Sequence, residues 1–131
     1  MRPVRTILLL LVGAYALAGC GASAHDQVQA KVQQFARATA AGDYQTLCQQ
    51  VLAPSLVQRL GAANLSCPQA MRVFVSSVKN PTLSVAKITV SGQRASAVVL
   101  ATATGQHASL NTIELVNTKG GWRLASLASP G

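Results

Sequence analysis

Acidic residues are scarce in this chain of 131 residues. There are three, Asp26, Asp43 and Glu114, against eleven lysines and arginines and two histidines. Glu114 is the only acid from Tyr44 to the last residue. General acid–base catalysis needs titratable side chains within hydrogen-bond reach of the reacting groups. The supply is too small for a Ser-His-Asp arrangement or a carboxylate pair, so we expect no enzymatic activity.

Other chemical signatures are also missing. The sequence has no Cys-x-x-Cys pair, no glycine-rich phosphate loop and no cluster with metal-ligand spacing, so we expect no cofactor and no metal site. The longest apolar run lies between Thr6 and Gly19 and has about 14 residues, whereas a membrane-spanning helix needs about 20. A transmembrane helix is therefore not predicted.

The N-terminal segment indicates export. Two arginines at residues 1–5 precede an apolar core at residues 6–16, and small residues follow, as in a secretory signal. Leu17-Ala18-Gly19-Cys20 resembles the lipobox at which bacterial lipoproteins are cleaved and lipidated; an ordinary cleaved signal is the alternative. The resemblance implies a signal peptide at residues 1–19, a lipidated tether at 20–25 and one domain at 26–131. It also implies attachment to the cell membrane, on the extracytoplasmic face, through lipid on Cys20.

The domain that remains after cleavage is basic. Nine lysines and arginines stay with the three acids, and they are scattered rather than collected in a run. Their scatter favours a solvated basic surface, although contact with anionic lipid or cell-wall polymer is an alternative. An exported domain does not meet nucleic acid in normal work, so no nucleic-acid partner is expected.

Two cysteines remain besides Cys20, at positions 48 and 67. An even number of cysteines in an exported chain favours a disulfide, and we predict that Cys48 and Cys67 are joined. A closed loop of about 20 residues stabilises the folded chain by about 3 kcal/mol.

The first half of the domain has helical patterns. Val28, Val32 and Phe35 recur at helical spacing after Asp26, whose spacing to Gln29 resembles a capping box. Gly42 is expected to end this helix, and Asp43 to cap the next one. Short helices are predicted at residues 55–60 and from Pro68 to the stop at residues 80–81.

The second half has strand patterns. Strands are predicted at residues 83–90, 94–104, 109–118 and 122–127, with turns at Gly92, at residues 105–107 and at Lys119-Gly120-Gly121. Helices followed by an antiparallel meander predict an α+β domain, in which helices pack on a sheet of about four strands.

Residues 32–43, Val-Gln-Gln-Phe-Ala-Arg-Ala-Thr-Ala-Ala-Gly-Asp, resemble the first helix and Gly-Asp turn of the nuclear transport factor 2-like superfamily. Residues 119–124, Lys-Gly-Gly-Trp-Arg-Leu, resemble its last hairpin. This superfamily includes ketosteroid isomerases, polyketide cyclases and small bacterial lipoproteins. The resemblance implies a curved sheet around a long helix, forming a cone with a pocket.

The resemblance also identifies possible pocket residues. Ketosteroid isomerases carry a tyrosine on the first helix, and the matching residue here is Phe35, which has no hydroxyl. Tyr44 and Glu114 are further candidates, although packing for Tyr44 and pairing with Arg94 or Arg123 for Glu114 are the plainer interpretations. His107 is expected in a solvated turn.

Two readings of function remain. The first is a non-enzymatic envelope lipoprotein that binds a small apolar ligand or an envelope protein. The second is a weak or degenerate enzyme of the cyclase or isomerase type that uses the cone pocket.

Overall fold

The computed structural model describes residues 22–127 and the backbone of residues 129–130. The predicted signal peptide and Cys20 lie outside these residues. The first helix, α1 (Ala24–Ala41), begins two residues before the predicted start, because Ser23 rather than Asp26 caps it: the Asp26 amide donates to Ser23 Oγ (3.1 Å). Helix α1 therefore includes Ala24 and His25, which were predicted as tether.

Glycine 42 ends α1 in a left-handed conformation (φ 66°), as predicted. Asp43 then caps α2 (Tyr44–Thr46), which continues directly into a π-helix (Leu47–Val51). The π-helix closes with a bond from the Leu52 amide to the Leu47 carbonyl, one residue longer than in an α-helix. The sequence pattern did not predict this wider turn.

Two more helices complete the first half of the domain. Helix α3 (Pro54–Gly61) has a proline in its first turn, and α4 (Cys67–Ser76) begins with a full capping box between Ser66 and Gln69. A disulfide joins Cys48 on the π-helix to Cys67 on α4, as predicted.

The strands form one antiparallel sheet in the order β1-β2-β3-β4. They are β1 (Thr82–Ser91), β2 (Arg94–Ala103), β3 (Gln106–Thr118) and β4 (Gly121–Leu124), and the short β5 (Ser129–Pro130) pairs with β3. Register shifts interrupt β1 between Val85 and Lys87 and β2 between Ala101 and Ala103. Such irregularities bend a strand and increase its twist. The prediction of helices packed on about four antiparallel strands is confirmed.

The core lies between the helices and the inner face of the sheet. Its members are apolar residues with little or no exposed surface: Val28, Val32, Phe35, Ala38, Leu47, Val51, Leu52, Ala53, Leu56, Cys67, Met71, Val75, Ala95, Ala97, Val99, Ile113, Leu115, Trp122 and Leu124. Two apolar residues of α4, Val73 and Phe74, instead face solvent.

Candidate functional site

A cavity of about 230 Å³ opens between α1, α4 and one end of the sheet, and we call it the Phe35 cavity. Its apolar lining residues are Phe35, Phe74, Val75, Val78, Pro81, Leu83, Ala101, Ala103 and Leu127. Its polar lining residues are Thr39, Thr82, Thr102, Gln106, His107, Ser109 and Asn111. Neither set contains an acid, a lysine or an arginine.

Helix α1 supplies the inner wall of the cavity. Phe35 and Thr39 are four residues apart, so they lie one above the other on the same face of the helix. Val28 and Val32 precede them on this face and are fully packed. The face that forms the core in the first turns of α1 therefore forms the cavity wall in the last turns.

Strand β3 supplies the opposite wall by alternation. His107, Ser109 and Asn111 line the cavity, and Ile113 and Leu115 continue the same face into the core. Serine is much smaller than the aliphatic residues that fill the core end of the strand. Ala101 and Ala103 do the same on β2. The cavity exists because small side chains occupy the end of the sheet where large ones would close the space.

Phenylalanine 74 stands at the mouth of the cavity. This α4 residue is 53% exposed, whereas the neighbouring Val75 points inward and is 8% exposed. Phe35, on the opposite wall, is 6% exposed. Two aromatic rings, one buried and one half in solvent, therefore flank the same space.

One polar atom of the lining has no partner. The Thr39 hydroxyl oxygen is buried and makes no hydrogen bond within the described part of the chain. By contrast, Asn111 Nδ2 donates to Ser109 Oγ (3.0 Å), and the hydroxyls of Thr82 and Thr102 bond to each other. A buried hydroxyl without a partner is costly, by about 1–3 kcal/mol. Thr39 is thus the polar group of this wall that is open to a new partner.

The structure brings one of the three possible pocket residues to the cavity, Phe35. Tyr44 instead lies at surface depressions beside Gly42, where the Arg72 guanidinium sits 5.8 Å from the centre of its ring. Glu114 is exposed on the outer face of β3, since it alternates with the buried Ile113 and Leu115.

Glutamate 114 was also predicted to pair with Arg94 or Arg123. The register places it opposite Ser96, and no ion pair joins it to either arginine among the described residues. Arg123 instead donates to the Gln49 carbonyl (2.7 Å). The Glu114 side chain is therefore separate from both the cavity and the predicted partners.

Sequence reasoning missed His107 as a lining residue. The sequence predicted a turn at residues 105–107, but β3 begins at Gln106, which places His107 in the strand. The period-two alternation from His107 through Ser109, Asn111 and Ile113 was the available signal. It was weak because polar side chains at its first positions resemble a loop.

Basic side chains near the π-helix have structural partners. Lys31 Nζ donates to the Gln50 carbonyl (3.0 Å) and Arg123 to the Gln49 carbonyl, so both satisfy free carbonyls at the end of this element. Burial, and secondarily the charge of Arg123, lower the pKa of Lys31. A more open depression of about 620 Å³ adjoins Arg123 and Cys48. Its guanidinium is already engaged, so the depression is a weaker candidate than the Phe35 cavity.

Two further features are absent from the described residues. Within residues 22–127, no three His, Cys, Asp or Glu side chains come together in a group that could hold a metal ion. No helix in the described part of the chain is long and apolar enough to cross a membrane.

Comparisons with known proteins give one match, at the level of structure. No protein-family model matches the chain, and no curated protein matches it. The chain is similar to a solved structure, a de novo designed NTF2 fold protein, NT-9, with a TM-score of 0.54 and 16% sequence identity. The match covers 81% of this chain and 87% of the designed one. The order of helices and strands and this likeness together show that the chain has the nuclear transport factor 2-like fold.

Proposed function

We propose that this protein is a lipid-anchored, extracytoplasmic binding protein whose Phe35 cavity takes a small apolar ligand. The observation that carries the proposal is the cavity lining, in which nine of the side chains are apolar and none is acidic. The anchor is Cys20, which follows a short apolar segment in a sequence that resembles a lipobox. The lipid would hold the domain at the outer face of the cell membrane.

The size and lining of the cavity support binding. Ligand sites are typically concave and mostly apolar, with few polar groups that fix orientation. A dry engineered cavity of about 150 Å³ in another protein is enough for benzene. The Phe35 cavity, at about 230 Å³, is large enough for a ring of that size. Removing apolar surface from water would supply about 25 cal/mol for each Å² buried.

The titratable groups support binding rather than catalysis. His107 is the single titratable residue of the cavity lining, and Glu114 faces away from it. A catalytic base needs a second group to hold or receive the proton during turnover. The degenerate-enzyme reading would have to rely on His107 alone.

The binding test is a pair of matched substitutions. Ala101→Leu adds three carbons to a cavity residue, and Ala108→Leu adds the same atoms to an exposed residue outside the lining. Full-length protein in phospholipid nanodiscs is titrated with toluene while amide chemical shifts are followed by NMR. Cavity amides should shift in the wild type and in Ala108→Leu, and should stop shifting in Ala101→Leu. Equal behaviour of the two variants would contradict binding in this cavity.

The same preparation tests the enzymatic reading. We expect no turnover of steroid or polyketide substrates above buffer. Turnover that is lost in His107→Ala or in Glu114→Gln would overturn the non-enzymatic proposal and identify the base.

A second function has its own observation. Val73 and Phe74 are adjacent on α4 and are 66% and 53% exposed, which is unusual for large apolar side chains. A protein-interaction role for an envelope partner would use this face. Val73→Ser, which lies outside the cavity lining, should then weaken capture of the partner while toluene binding stays unchanged.

A further inference from the structure

We propose that the ligand of the Phe35 cavity is a small, neutral, hydroxylated molecule with a single-ring body, whose oxygen pairs with Thr39. This inference rests on the proposed binding function and specifies the class of ligand. It is carried by the buried Thr39 hydroxyl, which is unpaired among the described residues, together with the composition of the wall around it.

The state of Thr39 is unusual for a helical threonine. In helices the threonine hydroxyl commonly donates to the carbonyl three or four residues earlier, which satisfies it locally. Thr39 makes no such bond, although its own carbonyl accepts from the Gly42 amide (3.2 Å). Its hydroxyl can both donate and accept. A ligand hydroxyl is the simplest group that matches either role.

The arrangement of α1 places the apolar and polar parts of such a ligand. Phe35 and Thr39 lie one turn apart on the same face, about 6 Å from each other at this spacing. A ring stacked against Phe35 can therefore direct a hydroxyl toward Thr39. This separation suits one aromatic ring with an attached oxygen.

The lining selects a neutral ligand. No lysine, arginine, aspartate or glutamate lines the cavity, so a charged group inside would have no counter-ion. Burying an isolated charge is far more costly than burying a hydrogen-bonded hydroxyl. Carboxylates, phosphates and amines are therefore disfavoured at the Thr39 end.

The volume sets an upper limit on the ligand. Pockets that take drug-sized molecules measure about 300–1,000 Å³, and this one measures about 230 Å³. A fused four-ring steroid does not fit inside it. One ring fills most of the space, and any longer substituent has to pass Phe74 at the mouth.

The test compares toluene with 4-methylphenol, which differ by one hydroxyl. Full-length protein in phospholipid nanodiscs is titrated with each, cavity amide shifts are followed by NMR, and free ligand in the buffer is measured to correct for partition into lipid. One hydrogen bond should make 4-methylphenol bind about 2- to 10-fold more tightly than toluene. Thr39→Val should remove this preference and leave toluene binding unchanged.

Two controls accompany Thr39→Val. Thr39→Ser keeps the hydroxyl and should keep the preference, and Thr89→Val makes the same change at an exposed strand residue and should have no effect. Equal affinity of the two probes in the wild type, or a preference that survives Thr39→Val, would overturn the assignment of Thr39 while leaving the apolar site intact. If neither probe shifts the cavity amides, the proposed function fails, and this inference fails with it.

Discussion

Phenylalanine 35 belongs to two environments at once. It is a member of the buried core, and it also lines the cavity. A phenylalanine packed on all sides loses about 3–5 kcal/mol when it is shortened to alanine, because the change removes contacts and leaves a hole. Phe35 already has empty space on one side, so it has fewer contacts to lose.

We therefore expect Phe35→Ala to lower the free energy of unfolding by about 2 kcal/mol, below the usual range for a core phenylalanine. The change also enlarges the cavity, so naphthalene should bind the variant better than the wild type. Urea unfolding and NMR titration measure the two effects. Phe74→Ala is the control, since this exposed ring should change stability by less than about 1 kcal/mol. A loss of 4 kcal/mol or more for Phe35→Ala would show a fully packed ring.

Aspartate 43 is a second residue with a defined local role. The Thr46 hydroxyl donates to Asp43 Oδ2 (2.7 Å) and the Thr46 amide to Oδ1 (3.1 Å), and these bonds lower the pKa of the Asp43 carboxyl. The ionised form is thus favoured in the folded state. Its contribution to stability is complete above the unfolded pKa, about 3.9, and is lost as the pH falls through the lower folded pKa.

Asp43→Asn should remove this pH dependence, because the amide does not titrate in this range. The melting temperature of the wild type should exceed that of the variant at pH 6, and the difference should shrink steadily below pH 4. Thermal unfolding between pH 2 and pH 6 measures the difference, which cancels the titration of Asp26 and Glu114. A difference that is constant with pH would contradict the ionised cap.

At the scale of elements, β3 shows what the sequence could and could not predict. Its core end was predicted from the alternation of Ile113, Glu114 and Leu115. Its other end was read as a turn, because polar residues in alternation carry no hydrophobic signal. The structure extends the strand to Gln106 because its backbone pairs with β2 up to Ala103. Tertiary pairing, which local pattern does not contain, thus decided where the cavity wall lies.

The π-helix and α4 show the reverse case, in which a covalent link was predicted and the local geometry was not. The disulfide joins Cys48 to Cys67 across 19 residues of sequence. It fixes an element with an uncommon hydrogen-bond pattern to the first turn of α4. The cysteines were predicted by parity, whereas nothing in the spacing of Leu47 to Val51 distinguishes a π-helix from an α-helix.

Replacing both cysteines with alanine should lower the free energy of unfolding by about 3 kcal/mol, because the unfolded chain regains the freedom of the closed loop. Urea unfolding measures the loss, and reduction of the wild type should produce a loss of similar size. Peptide mapping without reductant should recover the two cysteine peptides as one linked species. Two freely alkylated thiols in native protein would rule the bridge out.

For the whole molecule, the order of elements was predictable and the site was only partly so. Helices precede an antiparallel meander, and glycine turns separate the strands, so the α+β arrangement follows from local signals. The cavity combines Phe35, Val78, Ala101 and Leu127, which are far apart in sequence. No motif marks such a set, because it has no shared chemistry beyond being apolar or small.

The anchor concerns the whole molecule, because it fixes where the cavity meets its ligand. We expect Cys20→Ser to abolish acylation and to leave uncleaved precursor, since the lipid-accepting thiol of the lipobox-like sequence is lost. Cells are labelled with a clickable fatty-acid analogue, and the protein is examined by gel mobility. The matched control is the double Cys48→Ser, Cys67→Ser variant, which loses the other two thiols and should keep its label. Label that persists on Cys20→Ser, or disappears only from the control, would place the lipid elsewhere and contradict the membrane anchor.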